Sequence, residues 1–355
     1  MDLTIAVPTL NRSKFIERLL IYYSSLGYSG RISIGDSSEE VHHRRNKELV
    51  EQYQGTLDID YYHFPLSINP FEYIGQNVQT KYWSYCGDDD VLVPNSLKKC
   101  VQFLQDNLDY HHAHGLGTIY KLKEINAEYG EIDVIDYYPL AADRSERPLS
   151  RLRNLLARYR VMQFSVQNVD VLRERIIPFT SQIKDKRFGH DFMLNTLSLI
   201  RGKGMELDCL HLLRQMHDMR IRFPVTWEWL TGEEWLPSYK IVIDLISRDV
   251  AEREGMNESV TRKEIERLFW QWISRRVELE TRGEAEVNKE RVNGIIHRIC
   301  SKVIRVIEER KKRPEAGSEN SYHERVSLDK LLAPESPYHA DFKVFYDILL
   351  TEKVS

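Results

Sequence analysis

No stretch of this 355-residue sequence is apolar for long enough to cross a bilayer, and the run after Met1 is too short for a secretory signal. Cysteine is scarce. Cys86, Cys100, Cys209 and Cys300 are scattered, with no CxxC pair and no metal-ligand spacing, a pattern that suits a reducing compartment. Charge of one sign is not in excess either: the formal net charge is −4, so global charge gives no reason to expect nucleic acid as a partner. No internal repeat is evident. These absences point to a cytoplasmic protein long enough for a large core and two domains.

What is present begins with alternation. Residues 3–7 read as a buried strand broken by Pro8, and residues 13–26 as a helix with Phe15, Leu19, Tyr22 and Tyr23 at helical spacing. Residues 31–35 form a second strand, 39–54 a charged helix and 58–64 a third strand. Residues 70–80 look helical, 81–86 extended, and a further helix starts at Asn95. Residues 111–135 suggest strands or a hairpin, 144–160 a basic helix, 164–172 a strand, 188–202 a helix and 205–213 a last strand. Strands alternating with helices predict an α/β fold with a mostly parallel sheet covered on both faces. From about residue 225 strand-like alternation gives way to long, charge-laced helical patterns around Trp227, Trp229, Trp235, Trp270 and Trp272. The expected domains are therefore 1–224 and a mainly helical 225–355.

The densest chemistry lies at Asp88, Asp89 and Asp90, which follow an aromatic-rich strand and Gly87. Three carboxylates at one strand end repel one another and are costly to bury. A hard divalent cation with oxygen ligands resolves that conflict; a solvated acidic turn is the plainer alternative. In parallel sheets ligands bind beyond the carboxyl ends of the strands. Residues 8–12, residues 36–38 and the aspartates all fall at such ends, so three polar clusters are expected to converge on one edge.

In these pieces the chain resembles the inverting GT-A glycosyltransferases of family 2. The matching segments are Val7-Pro8-Thr9-Leu10-Asn11-Arg12, Gly35-Asp36-Ser37-Ser38, Asp88-Asp89-Asp90 and Phe188-Gly189-His190-Asp191, in that order over roughly residues 3–217. The resemblance implies a GT-A, Rossmann-like fold and a nucleotide-diphosphate-sugar donor, with a UDP-sugar the first choice. It places Thr9, Asn11, Asp36 and Asp89 at the donor, and Asp88 and Asp90 at a Mn²⁺ or Mg²⁺ ion. His217 can complete the metal shell in related enzymes, with an ordinary hydrogen-bonded histidine as the alternative; His211, flanked by Leu210 and Leu212, is a weaker competitor. The trio His111, His112 and His114 shares no stretch with other ligands and is set aside. Asp191 becomes the catalytic base, with His190 in reserve, though an aspartate at a helix start also serves as a cap, as does Asp36 before its helix. The family often carries a glutamate where His190 stands.

The Gln-x-x-Arg-Trp signature of processive synthases is absent after Asp191, so one sugar per encounter is expected, passed to a glycan, lipid-linked or protein acceptor. A sugar-nucleotide pyrophosphorylase would want a glycine-rich first loop, which residues 8–12 lack. A catalytically silent relative that binds nucleotide-sugar or serves as an assembly scaffold is the competing class, and the presence of Asp90 and Asp191 argues against it. In the helical region, Ile295, Ile296, Ile299, Val303 and Val306 share one face, and the basic residues Arg298, Lys302, Arg305, Arg310, Lys311, Lys312 and Arg313 are countered only by Glu308 and Glu309. Such a helix lies on an anionic membrane surface or packs against the catalytic domain or a second subunit.

Overall fold

A computed structural model describes residues 1–66, 70–219, 223–292 and 326–351. Its centre is a mixed sheet, nine-stranded among the described residues. The strands are β1 (Leu3–Thr9), β2 (Arg31–Asp36), β3 (Asp58–His63), β4 (Tyr82–Tyr85), β5 (Val91–Leu92), β6 (Tyr110–Leu122), β7 (Ile132–Tyr137), β8 (Val166–Asn168) and β9 (Lys203–Gln215). Their order across the sheet is β3-β2-β1-β4-β8-β6-β9-β5, with β7 added beside β6. The first four strands are parallel, as are β6 and β9; β8, β5 and β7 pair antiparallel to their neighbours.

Both faces are covered, and side-chain alternation shows it. In β1, Leu3, Ile5 and Val7 enter one core while Ala6 enters the other; in β4, Tyr82 and Trp83 divide the same way. The first core takes the helices Ser13–Ser25, Glu40–Tyr53 and Pro94–Asp106, and also His339–Leu350, whose Phe345 packs edge-on against Tyr22 and Tyr120. The second takes Pro148–Ala157 and Met193–Arg201 together with Trp235–Glu254 and Glu258–Val292. Here Trp229, Trp235 and Trp272 are buried around Phe188, Phe192 and Phe269, while Trp227 and Trp270 stay exposed. Helices from beyond residue 225 thus contribute to both cores.

Two expectations are corrected. Strand β1 does not break at Pro8 but runs through it to Thr9, in register with Gly35 and Asp36. Pairing with β4 ends at Ala6, and the missing N–H of Pro8 falls on that side, so the chain after Cys86 is free to diverge into the acidic turn. The strand expected over 164–172 spans only Val166–Asn168, after which the chain turns helical from Val169 to Thr180 through a π-turn at Leu172–Ile176. Helical spacing of Val171, Leu172 and Ile176 buries all three in the second core. The amphipathic stretch 293–313 lies outside the described residues. Among the described residues no helix is long and apolar enough to cross a membrane.

Candidate active site

Register builds the site. Thr9, Asp36 and His63 close three adjacent strands side by side, Thr9 opposite Asp36 and Asp36 opposite His63. Ala6 faces Tyr85, so the chain beyond β4 arrives beside Thr9, whose hydroxyl donates to Asp88 Oδ2 at 2.7 Å. The amide of Asp90 bonds back to the carbonyl of Gly87 at 3.2 Å and closes a tight turn. A Cβ on Gly87 would meet Asp89 Oδ1 at 2.5 Å, so a larger residue there would push that carboxylate aside. Strand β5 then pairs with β9, which carries the Gln215 amide to 3.0 Å from Asp90 Oδ1. Two residues on, His217 Nε2 lies 2.6 Å from Asp89 Oδ2, its ring stacked on Phe15 at 5.3 Å.

The three aspartates are buried, with 3%, 8% and 4% of their surface exposed for Asp88, Asp89 and Asp90. The solvated acidic turn is therefore set aside. Charge compensation comes from the chain itself. Arg12 Nη1 reaches Asp88 Oδ1 at 3.0 Å and Asp89 Oδ2 at 3.3 Å, and its Nη2 donates to the Met219 carbonyl. Arg214 Nε stands 3.8 Å from Asp90 Oδ2. Arg18, on the buried face of the first helix, donates from Nη2 to the Asp89 carbonyl at 2.7 Å and from Nη1 to Gln215 Oε1 and the Glu128 carbonyl, both at 2.6 Å.

These surroundings split the acidities. Burial, and then the charge of Asp89, push Asp88 up to about 6 and Asp90 up to about 8. Burial acts in the same sense on Asp89, but the hydrogen bond from His217 and the charge of Arg12 outweigh it, and Asp89 is held below its ordinary value.

The residues expected at the donor knit the loops together. Asn11 adopts a left-handed conformation (φ 56°), accepts the Glu39 amide on Oδ1 at 2.8 Å and donates its own amide to Ser38 Oγ at 2.7 Å. Asp36 is fully buried. Its Oδ1 accepts the Ser38 amide at 2.7 Å, and its Oδ2 accepts Asn46 Nδ2 at 2.8 Å and the Tyr61 hydroxyl at 2.6 Å. His43 stacks on His63 at 3.7 Å beside it.

Asp191 lies in a π-turn, Phe188–Phe192, that continues into the Met193–Arg201 helix. The capping alternative fails, because helical conformation starts at Lys186 and Asp185 fills the cap: its Oδ1 accepts the Phe188 amide at 2.9 Å. Asp191 sits in the second turn, where no free amides remain, and it is held instead by side chains. Its Oδ1 accepts the Tyr159 hydroxyl at 3.1 Å and Asn195 Nδ2 at 2.7 Å. Burial raises its pKa, while Tyr159, Arg187, Arg276 and Asn195 pull it back. Asn195 Oδ1 in turn accepts the amides of Met162 and Gln163, and the Gln163 carbonyl accepts the Tyr85 amide at 3.2 Å, which ties Asp191 to the strand leading into the acidic turn. Tyr138, under Arg214 at 4.9 Å, is within electrostatic reach of both Asp90 and Asp191.

The other histidines lie apart. His211 is locked inside β9 by Ser96 Oγ at 2.7 Å and the Phe164 carbonyl at 2.9 Å, and His111 pairs with Asp170. Among the described residues no three His, Cys, Asp or Glu side chains stand, as placed, around a point that holds a metal ion. Asp88, Asp89, Asp90 and His217 are nevertheless the right donors in kind for a divalent cation, and the point where Asp88 Oδ1 and Asp89 Oδ2 converge is taken by Arg12 Nη1. Sequence patterns alone assign no role to Arg18, Arg214, Tyr159 or Asn195, although Arg18 stands out as a cation on the apolar stripe formed by Phe15, Leu19 and Tyr22, and Asn195 follows Asp191 at the i,i+4 spacing of a helix.

No family model and no curated protein sequence matches this chain. Among solved structures it is similar to S. aureus TarS residues 1–349, with 15% identity over 75% of this chain and 69% of that one, at a TM-score of 0.48. It is also similar to the longer S. aureus TarS structure, with 16% identity and a TM-score of 0.42, where the match spans 70% of this chain and only 43% of that one. The mannosyltransferase PcManGT from Pyrobaculum calidifontis, in complex with GDP-Man and Mn²⁺, matches with 9% identity over 80% of this chain and 79% of that one, at a TM-score of 0.42. Likeness at this level assigns neither activity nor ligand to the present chain.

Proposed function

We propose that this chain is a non-processive, inverting glycosyltransferase of the GT-A type. It moves a sugar from a nucleotide-diphosphate sugar to a hydroxyl of a glycan, lipid-linked or protein acceptor. The observation that carries the reading is a buried triple-aspartate turn beyond the carboxyl end of a parallel strand, linked by hydrogen bonds through Gln163 and Asn195 to a second carboxylate, Asp191. Thr9, Asn11, Asp36 and Asp89 form the donor side. The structure favours an indirect part for Asp36, whose two oxygens order the Ser38 amide and Tyr61.

In the transfer, the acceptor oxygen bonds to the anomeric carbon as the bond from that carbon to the diphosphate oxygen breaks. Asp191 takes the hydroxyl proton, and attack from the face opposite the departing diphosphate inverts the centre. Asp88, Asp90 and His217 would hold a Mg²⁺ or Mn²⁺ ion, with Asp89 beside them. Bound there, the ion neutralises the charge gained by the leaving nucleoside diphosphate. Arg12 and Arg214 bring two further positive charges to the same turn.

A thermal-shift panel of UDP, GDP, CDP and dTDP with Mn²⁺ tests the donor class. One nucleotide is expected to raise the melting temperature by roughly 5 °C at a hundredfold excess over its Kd, because it binds only the folded state. Silence across the panel, with no slow hydrolysis of any nucleotide-sugar, would leave the scaffold reading in its place.

Tyr159 provides a test of the base. Its hydroxyl stabilises the ionised form of Asp191, whose pKa burial already raises. Tyr159→Phe should raise that pKa further. Since the base must be ionised, the acidic limb of the pH–kcat profile is expected to move to higher pH, by roughly half to one unit for one lost hydrogen bond. A shift to lower pH, or none, removes Asp191 from that limb.

A further inference from the structure

The place between the carboxylates of Asp88 and Asp89 is filled by one nitrogen of Arg12. This contact is held from both ends. The arginine's other terminal nitrogen donates to the Met219 carbonyl, and its guanidinium lies 5.9 Å from the centre of the Phe15 ring, on which His217 also stacks. The backbone supports it: the left-handed Asn11, pinned to Ser38 and Glu39, fixes where Arg12 leaves the loop. A unit cation on a long, partly exposed side chain (18% of its surface) therefore stands against Asp88, one of the ion's proposed ligands, and against Asp89, which His217 also reaches. A divalent ion and a guanidinium cannot share that point. Both are drawn to it by the same oxygens, and the second arrival meets the full repulsion of the first.

We propose that Arg12 is a tethered counter-cation of the acidic turn, occupying the metal's position in the ligand-free protein and exchanging with the metal when it binds. The proposal rests on the metal-dependent reading above. It explains how three consecutive buried aspartates coexist in the absence of an ion: Arg12 compensates Asp88 and Asp89, and Arg214 faces Asp90. It also joins metal entry to the segment after β9. Arg12 and His217 both reach the Asp89 carboxylate while Arg12 holds Met219, so release of Arg12 frees the carbonyl of Met219.

The experiment is a Mn²⁺ titration of the full chain without nucleotide, followed by electron paramagnetic resonance of the free ion, for the parent, Arg12→Ala and Arg12→Lys. Arg12→Ala should bind Mn²⁺ at least about tenfold more tightly than the parent, equivalent to about 1.4 kcal/mol. Arg12→Lys, which keeps a tethered charge, should stay near the parent. Thermal denaturation supplies a second reading: unpaired carboxylates lower the melting temperature of Arg12→Ala, and Mn²⁺ should restore it by more degrees than it adds to the parent. Equal or weaker Mn²⁺ affinity in Arg12→Ala overturns the exchange and leaves the metal reading standing. Absence of Mn²⁺ binding in all three proteins, each shown to be folded, overturns both.

Discussion

Replacing Asp191 by asparagine is expected to reduce sugar transfer by about a thousandfold or more while nucleotide affinity stays within about twofold of the parent. The first figure lies within the usual contribution of a positioned general base. A sugar hydroxyl is too weak an acid to attack unaided near neutral pH, and asparagine cannot accept its proton. The second figure follows from geometry: the hydrogen bonds of Asp191 run to Tyr159 and Asn195, whereas Thr9, Arg12 and His217 meet at the aspartates. Asparagine preserves the shape, and its carbonyl oxygen still accepts from Tyr159, so the melting temperature should fall little. Steady-state transfer and a nucleotide titration on the same preparation separate the two effects. Transfer that survives in Asp191→Asn but disappears in His190→Ala would move the base to the histidine. A product with retained anomeric configuration would remove the need for such a base.

The outline of this site was legible because it depends on local patterns. Strand ends marked by Thr9, Asp36 and Asp88 are set by hydrophobic runs, and the register of parallel neighbours follows once the runs are aligned. The burial of the aspartates was less accessible. Composition at residues 88–90 fits a solvated turn as well as a buried one, and the difference lies in Arg12, Arg18 and Arg214, all remote in sequence. Of the partners of Asp191, Tyr159 is remote in sequence, whereas Asn195 stands one helical turn on, a local pairing that sequence spacing permits. The helix start that seemed to be capped by Asp191 belongs to Asp185, because the helix begins before the Phe188–Phe192 turn. Strand β8 was overextended because Val169, Val171 and Leu172 suit a strand as readily as a buried helix, and periodicity cannot separate short apolar runs.

Arg18→Met is the substitution expected to cost most in stability. Methionine keeps an unbranched apolar stem against Phe15, so the change removes donors more than volume. Three acceptors feel it, those at Asp89 and Gln215 buried and that at Glu128 partly so. The Asp89 and Glu128 carbonyls lose the bonds from Arg18 and would have to find water, while Gln215 Oε1 retains only the Tyr120 hydroxyl at 3.2 Å. With a penalty of about 1–3 kcal/mol for each acceptor left unmet, offset in part by no longer burying a guanidinium, a net loss of about 2–4 kcal/mol follows. In a chain of this size that corresponds to a fall in melting temperature of roughly 3–5 °C. The damage should also reach function below the transition. Arg18 fixes the backbone of the acidic turn at Asp89 and, through Gln215, the amide that meets Asp90, so nucleotide binding measured well below the melting point is expected to weaken about tenfold, the worth of one misplaced charge-assisted bond. Thermal denaturation and a nucleotide titration at 15 °C check the two parts separately. Parent-like melting would show that the carbonyls find water at no cost, and that Phe15, Phe345 and Gln215 hold the turn without the arginine.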